Sequence, residues 1–572
     1  MTQESFMKAV FHGVLAEELV LPFPEISSEE RPILEGALDA TRKFLHNYVD
    51  PVAIDREQRL SPAVLDGMRE AGLFGLTIPP AFGGLGLSNT AFAQVMEEIA
   101  AVDGSVAVTL AAHHSIGLKG LLLFGTEWQK RRYLPRLASG ELIAAFALSE
   151  PGAGSDAAGI HTTAELAEDG GGWVLHGSKV WVTNGEIAGL FTVFARTRPT
   201  EQEGKPRITA FLVERSHGVR HGPNEAKLGF RGTSTTALQF EHTRVPAGNM
   251  LGERGRGFRV AMDVLNNGRL SLAAGAVGSC KKLIRMAVSR CNERKAFGRP
   301  IGEFGMIREK IARMMCETWA LESMTYLTTG LIDAGALDFS LESAICKVFG
   351  SESLWYVVNE TLQIAAGIGC MADHPYERHL RDARTNLVFE GTNEILRAFI
   401  ALAGMQSPGA DLTEVAKAMR EPIKGFGILS DFAVKQAKRS FRTNRLERVH
   451  PALKREAVLL EQTTSDLARE TLRVLRKHGK EIAEMQFVQK RIADVAIDIY
   501  GLTATLSRAT RDIERKGEEA ARSEIELTMG FASIAERRLA KRLGEMEREE
   551  DELFKTVASK AYQERGYRFM IR

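Results

Sequence analysis

Apolar positions change their period along the chain, and each change predicts a different kind of structure. Over residues 31–47, Ile33, Leu34, Leu38 and Leu45 recur at helical intervals behind Ser27, Ser28 and two glutamates, a helix-start pattern. A short helix is expected after Pro62, then a breaker-rich loop at Pro79-Pro80-Ala81-Phe82-Gly83-Gly84. Two buried helices follow over 88–101 and 105–124, and a polar-faced helix over 127–137. From about 146 the period shortens to two. Trp173–Thr183, Leu190–Ala195, Ile208–Val213 and Thr235–Phe240 alternate or run apolar between glycine and proline clusters, which predicts a small antiparallel β-domain. From 258 helical periods return over about 258–292, 302–333, 338–366, 374–387 and 392–404, long enough for an antiparallel bundle. Met405-Gln406-Ser407-Pro408-Gly409 reads as a linker to a further helical segment. The fold class is α+β, mainly α, divided at 1–145, 146–257, 258–405 and 410–572.

Composition narrows this picture little. The 572 residues, 44% hydrophobic and 26% charged, are those of a soluble globular protein of several units. A net charge of +1 gives no global argument for nucleic-acid binding. The five cysteines (Cys280, Cys291, Cys316, Cys346, Cys370) lack metal spacing and read as thiols in a reducing compartment. No apolar run approaches the roughly 20 residues that span a bilayer. The N-terminus lacks a signal-peptide core and is too acidic for a transit peptide. A cytoplasmic protein, or an already trimmed one, is expected.

Candidate chemistry sits in two stretches. Arg381–Arg397, RDARTNLVFEGTNEILR, breaks helical period at Phe389-Glu390-Gly391, and Thr392 can cap a new helix carrying Ile395, Leu396, Phe399 and Ile400. Glu390 is then one carboxylate on a non-helical step, beside a glycine that lets a ligand approach the backbone. By itself the stretch reads first as an interhelical loop with a solvated glutamate. Ala147–Gly159, ALSEPGAGSDAAG, contains Gly152-x-Gly154-x-x-Ala157. A dinucleotide fingerprint needs a helix to open next, and His161–Leu166 reads as extended, so that reading fails. What remains is either a structural turn or a polar loop whose Ser149, Ser155 and backbone N–H groups meet a ring edge or phosphate.

Taken together, SEPGAGSD, then Lys179-Val180-Trp181-Val182-Thr183-Asn184-Gly185, Arg294-Lys295-Ala296-Phe297-Gly298, Gln363-x-x-x-Gly367 and Phe389-Glu390-Gly391-Thr392 form an ordered series. It resembles the acyl-CoA dehydrogenases over residues 28 to about 404. Ser115–Gly120, Leu265-Asn266-Asn267-Gly268-Arg269, Phe389–Leu402 and the C-terminal segment around Gln489–Asp498 resemble the very-long-chain branch. The resemblance implies an N-terminal helical domain, a middle antiparallel β-domain, a four-helix bundle and an extra C-terminal helical domain. It implies an FAD enzyme that converts long-chain fatty acyl-CoA to trans-2-enoyl-CoA, the first step of fatty acid β-oxidation. No side chain accepts hydride, so a flavin must, leaving orientation and electrostatics to the protein. By that analogy Glu390 removes the α-proton, and its own N–H helps polarise the thioester oxygen.

The implied flavin contacts are Phe146, Leu148, Ser149, Gly154 and Ser155 on one side, with Trp181 and Thr183 on the other strand. Thr392 and Glu394 would lie along the ribityl and phosphate path. Arg294, Phe297, Gln363 and Gly367 would come from a partner subunit, which implies at least a homodimer. Ser155, Asn266, Arg269, Phe389 and Gly391 are the implied substrate contacts. The small residues Ala107, Ala111 and Ala112 would floor a long acyl channel, or simply allow close packing. Two positions depart from the family pattern, Ala366 where a glycine is usual and Ala296 where Thr or Gln is common, both touching FAD affinity. Electron-transfer flavoprotein is the implied acceptor, with a dioxygen-using oxidase and an assembly or scaffold protein as competing readings. Leu467, Thr471, Val474, Leu475, His478 and Ile482 form a stripe flanked by Arg469, Arg473, Arg476, Lys477 and Lys480. Residues 467–482 therefore read either as a bundle helix or as a peripheral membrane contact. The implied locations are a bacterial cytoplasm or a mature mitochondrial form peripheral to the inner membrane, with no nucleic-acid partner.

Overall fold

The computed structural model describes residues 5–198, 206–420 and 445–569. The chain divides into two compact units, one of Pro22–Asn393 and one that joins Glu4–Leu21 to Glu394–Arg572. This departs from the expected boundaries at both ends. The first helices, α1 (Phe6–Phe11) and α2 (Glu17–Val20), belong with the C-terminal unit instead of an N-terminal domain. Residues 405–409 are no linker but part of a continuous helix, Asn393–Arg420, with Pro408 inside it.

The larger unit opens with α3 (Arg31–Tyr48), α4 (Pro51–Glu57), α5 (Pro62–Glu70) and α6 (Asn89–Ala100). Next come α7 (Gly104–Ala111), α8 (Lys119–Phe124) and α9 (Glu127–Ala138). Side-chain oxygens cap the starts: Ser61 accepts from Val64 N–H, Ser88 from Ala91, Asp103 from Val106, and Thr126 forms a full capping box with Gln129. Between α7 and α8, residues Ala112–Gly117 form a π turn. Gly104–Phe124 as a whole is long and apolar enough to cross a bilayer, contrary to expectation, but 67% of its apolar 18-residue stretch is buried inside the protein. It is a core helix. Ala107 sits in the same core cluster as Ile99 and Leu110, with the partly buried Ala111 packed against it.

The sheet follows the predicted strands with additions: β1 (Ala144–Ala147), β2 (Thr163–Leu166), β3 (Gly172–Thr183), β4 (Leu190–Thr197), β5 (Arg207–Glu214), β6 (Arg220–His221), β7 (Thr235–Pro246) and β8 (Met250–Leu251). Their order is β6-β7-β3-β2-β4-β5-β8, with β1 also on β4. The sheet is mixed, not antiparallel, because β1 and β2 both pair parallel to β4. Alternation marks a strand but carries no direction, and both parallel partners reach β4 only after intervening chain. β4 and β5 are buried on both faces. Leu190, Phe194 and Leu212 face helices, while Phe191, Val193 and Phe211 face Trp173, Leu238 and Phe240.

Three long helices complete this unit: α10 (Gly257–Glu293), α11 (Gly305–Asp333) and α12 (Ser340–Ala365), followed by the shorter α13 (Tyr376–Asn386). A hairpin of β9 (Lys295–Ala296) and β10 (Arg299–Pro300) joins α10 to α11. α10 approaches α6 so closely that a methyl at Gly278 would lie 2.1 Å from the Glu97 carbonyl. Beside that contact Lys281 bridges Glu97 and Glu322 at 2.7 and 2.5 Å.

The second unit contains α14 (Asn393–Arg420) beyond its first residue, α15 (Lys454–His478), α16 (Gln486–Lys516), α17 (Arg522–Gly544) and α18 (Glu550–Glu564). Phe6 of α1 packs its ring 6.4 Å from that of Tyr500. Arg397 pairs with Asp494 at 2.7 Å. The stripe proposed for a membrane is covered: Leu467, Thr471 and Val474 are fully buried within this unit. Against its burial, hydrogen bonds from Arg473, Lys477 and His478 hold the Glu547 carboxyl down at about 2. Leu467, Thr471 and Val474 are thus covered, Leu475 is half-buried, and Arg469, Arg473, Arg476, Lys477 and Lys480 are exposed.

Candidate active site

α13 stops at Asn386, and residues 387–392 cross to α14 without helical geometry. Val388 and Phe389 N–H both donate to Thr385 O, at 2.9 and 3.1 Å. Glu390 then takes φ +58° and Gly391 φ +92°. A left-handed backbone at a residue with a Cβ costs on the order of 1 kcal/mol and persists only where its surroundings impose it. Here it leaves the N–H groups of Glu390 and Gly391 without an acceptor among the described residues.

The Glu390 side chain turns toward α10. A methyl on Gly268 would lie 2.9 Å from Glu390 Oε2 and 2.7 Å from Ile116 Cγ2, so this helix position must be bare for the carboxylate to fit. Oε2 is buried and has no hydrogen-bond partner among the described residues. Burial pushes its pKa up, against the charges of Arg269 and Lys347. Arg269, 8% exposed, donates from Nε to Glu390 O at 3.4 Å and from Nη1 to Asn266 Oδ1 at 2.8 Å. Lys347 Nζ donates to Gly391 O at 2.7 Å. On the other flank, Phe389 is half-exposed, 6.2 Å ring to ring from Phe230. Phe230 N–H donates to Asp382 Oδ1 at 2.6 Å, and burial pushes that carboxyl up to about 7. Asn266, Arg269, Phe389, Glu390 and Gly391 are thus brought together, with Thr392 half-buried beside them.

The glycine-rich loop is a second cluster. Lys179, wholly buried on β3, donates from Nζ to Leu148 O at 3.0 Å and Glu150 Oε1 at 2.7 Å. Glu150 also accepts the N–H of His161 and Thr162, at 2.5 and 3.0 Å. Burial pulls Lys179 down to about 8, with Glu150 opposing. Val180 N–H donates to Ser149 O at 2.9 Å, tying the loop to β3. The register of β3 on β7 then slips between Lys179 and Val182, and Trp181 at φ +55° stands 63% exposed. Thr183 is half-buried on the same strand, Phe146 lies 4.9 Å from the ring of Phe194, and Gly154 and Ser155 are exposed.

The remaining expected contacts are exposed. Arg294 and Phe297 flank the β9 strand, Phe297 being 94% exposed at φ +51°. Gln363 and Gly367 are exposed at the end of α12, where Ala366 takes φ +58° and ψ −135°. That backbone explains why glycine is usual there better than any approach of a ligand does. Glu394 is exposed in the first turn of α14. Sequence reasoning missed Gly268 and Lys347 and assigned no role to the Lys179–Glu150 pair. The spacing Ser343, Lys347, Ser351 on an apolar helix was the available sign.

Comparison with known proteins identifies the family. Three family profiles cover the core: "Acyl-CoA dehydrogenase, N-terminal domain" at 34–141, "middle domain" at 145–243 and "C-terminal domain" at 255–405. A fourth, "ACAD9/ACADV, C-terminal domain", matches 451–567. The human "Very long-chain specific acyl-CoA dehydrogenase, mitochondrial" is 40% identical over 576 residues, covering 98% of this chain and 88% of its own. A "Probable acyl-CoA dehydrogenase" of Bacillus subtilis is 33% identical, covering 89% and 86%. Among solved structures, an acyl-CoA dehydrogenase complexed with FAD from Bacillus anthracis superposes with TM-score 0.78 at 32% identity, over 94% of this chain and 90% of that one. The butyryl-CoA dehydrogenase of Megasphaera elsdenii superposes with TM-score 0.62 at 33% identity, over 66% and 98%. The chain therefore belongs to the acyl-CoA dehydrogenase family, on the branch that carries an additional C-terminal helical domain.

Proposed function

We propose that this protein oxidises long- and very-long-chain fatty acyl-CoA to trans-2-enoyl-CoA with FAD as its cofactor, Glu390 serving as the base. The observation that carries the reading is the Glu390 joint: a buried carboxylate oxygen beside two backbone N–H groups, all without hydrogen-bond partners among the described residues. An α-C–H is very weakly acidic, so removing its proton needs a base close by and a donor at the thioester oxygen. Glu390 would supply both, the first from its side chain and the second from its N–H. Burial makes it a stronger base than a solvated glutamate. Arg269 holds the Glu390 carbonyl and so fixes the direction of the peptide.

The donor set fits a flavin. Trp181 offers an exposed aromatic face, Ser149, Ser155, Thr183 and Thr392 offer hydroxyls, and the Lys179–Glu150 pair holds the loop that presents them. Phe146, Leu148 and Gly154 would complete that side, with Glu394 near the phosphates. FAD, when bound, supplies the acceptor for the β-hydride. The exposure of Arg294, Phe297, Gln363 and Gly367 in a single chain supports their reaching a partner subunit's cofactor, hence a homodimer. Ser155, Asn266, Arg269, Phe389 and Gly391 would meet the acyl-CoA. Electron-transfer flavoprotein is the proposed acceptor, in a bacterial cytoplasm or a mature mitochondrial form. We retain the boundaries near 145 and 257 for the dehydrogenase core.

Anaerobic bleaching of the flavin band by palmitoyl-CoA, beside octanoyl-CoA, tests this directly. Glu390→Gln is expected to keep FAD and bind acyl-CoA while reduction slows by about 100-fold or more. A yellow protein bleached by neither substrate, or a Glu390→Gln variant turning over normally, overturns the assignment. Rapid peroxide formation in air would place the protein among oxidases instead.

A further inference from the structure

Leu341–Ser351 of α12 are buried throughout, yet they carry Ser343, Lys347 and Ser351 at four-residue spacing. Residues four apart share one face of a helix, so these three make a polar seam along α12. Each reaches the neighbourhood of Glu390. Ser343 Oγ donates to Asn266 O at 2.5 Å. Lys347 Nζ donates to Gly391 O and to Asn393 Oδ1, both at 2.7 Å. Asn393 in turn donates from Nδ2 to Ser351 Oγ at 3.0 Å and to Glu352 Oε1 at 3.1 Å. The seam therefore grips the joint on the side following the base.

Lys347 is 0% exposed, and an ammonium is taken out of water at a large penalty unless its surroundings satisfy it. An apolar residue would fill the same helix position without that penalty, so packing alone does not account for it. The carbonyl of Gly391 belongs to the peptide two bonds beyond the free N–H groups. Fixing that oxygen fixes the plane of the next peptide and holds the left-handed turn at Glu390 and Gly391 in place.

We propose that Lys347 is a positioning residue for the dehydrogenation, its ammonium locking the Gly391 carbonyl so that the Glu390–Gly391 N–H groups stay free and a positive charge stays beside the base. The inference rests on the functional reading above. Two consequences follow, one mechanical and one electrostatic. Without the hydrogen bond the joint relaxes toward ordinary helix-end geometry. Without the charge, burial of Glu390 is opposed by Arg269 with one fewer partner, so Glu390 holds its proton to higher pH. A residue acting only as structural filler would do neither selectively.

The test uses FAD-loaded Lys347→Met, Lys347→Gln and Lys347→Arg beside wild type. Glu390 protonation is followed without substrate by the infrared carboxyl C=O band, taken as a difference against the matching Glu390→Gln protein. Hydrogen exchange is read on the peptide spanning 387–396, and the pH profile of flavin reduction by palmitoyl-CoA is measured in single turnover. In Lys347→Met the Glu390 midpoint and the acid limb of the profile should rise together by about one pH unit or more, a tenfold change in proton affinity. Exchange at the joint should quicken at least tenfold, and Lys347→Arg should restore most of the midpoint. A Lys347→Met protein that folds, holds FAD and shows wild-type midpoint, exchange and profile overturns the proposal. If Lys347→Met does not fold, the comparison passes to the other two variants: Gln shifted and Arg unshifted supports it, and identical titrations in both sink it. Wild type that palmitoyl-CoA fails to bleach would defeat the functional reading instead, leaving the infrared and exchange results to judge Lys347 alone.

Discussion

Gly268→Ala tests the geometry of the site with a single methyl group. The added Cβ would stand 2.9 Å from Glu390 Oε2, 3.1 Å from Glu390 Cδ and 2.7 Å from Ile116 Cγ2, where ordinary contact begins at 3.4 Å. The Ile116 tip can rotate aside, but the carboxylate must retreat by about 0.5 Å, the shortfall between those contacts. Overpacking of this kind costs roughly 1–3 kcal/mol, while Ala in place of Gly within a helix returns about 1 kcal/mol. Net stability should therefore change by no more than about 2 kcal/mol. The rate is another matter. A misplacement of about 1 Å can cost on the order of 100-fold, so about half that displacement predicts a loss of 10- to 100-fold in flavin reduction. Anaerobic stopped-flow with palmitoyl-CoA measures the rate, and thermal unfolding with FAD content measures integrity. In a Glu390→Gln background the methyl should add almost nothing to the rate defect, because the group it displaces no longer acts. Reduction within twofold of wild type, or a loss that merely tracks lost FAD, would refute the packing argument.

Three further outcomes are expected. Ala366→Gly should stabilise the protein by about 1–2 kcal/mol in thermal unfolding, because Ala366 holds φ +58° and ψ −135°; an unchanged or lower midpoint contradicts this. Lys179→Met should destabilise by roughly 3–5 kcal/mol, since it strands a buried Glu150 carboxylate, and should loosen FAD more than it slows the chemistry of bound flavin; a denaturant midpoint like wild type counts against it. Asp382 has a folded-state pKa of about 7, raised by burial above its ordinary value of 3.8, so the folded state binds the extra proton between those pH values and loses stability as pH climbs through them. Asp382→Asn should remove that decline and raise the midpoint above pH 7 relative to wild type; equal slopes between pH 5 and 8 would contradict the assignment.

Much of this was legible in the chain itself. Ile33, Leu34 and Leu38 marked α3, and the break at Phe389-Glu390-Gly391 marked the joint, because period and its interruption are local properties. What escaped depended on distant partners. β1 reads Ala-Ala-Phe-Ala with no alternation, and it is a strand only because β4 lies beside it. Amphipathicity around Leu467 and Val474 showed that one face must be covered but not by what, and the cover proved to be the protein's own C-terminal unit. Phe6 meets Tyr500 across nearly the whole sequence, a pairing no window contains. Pro408 and Gly409 signal a break by composition, yet the helix runs through them. Lys347 stayed hidden because its neighbours in sequence are apolar while its partners lie on the joint.

The π turn at Ala112–Gly117 has a consequence for how this chain can change length. Such a turn carries one residue more than an α-helix would over the same span, so the helices on either side are out of phase. Both His113 and His114, neighbours in sequence, point inward there, His113 to Phe74 O and His114 to Leu73 O. Losing one residue at the turn would close it to ordinary α-helix and leave Leu118, Leu121 and Ile116 in place among their neighbours. A second loss, or a gain, finds no such slack and would rotate everything after it by about 100°. The surplus residue is thus a reserve of length. Related chains should lack one residue within Gly104–Phe124 more readily than they gain one.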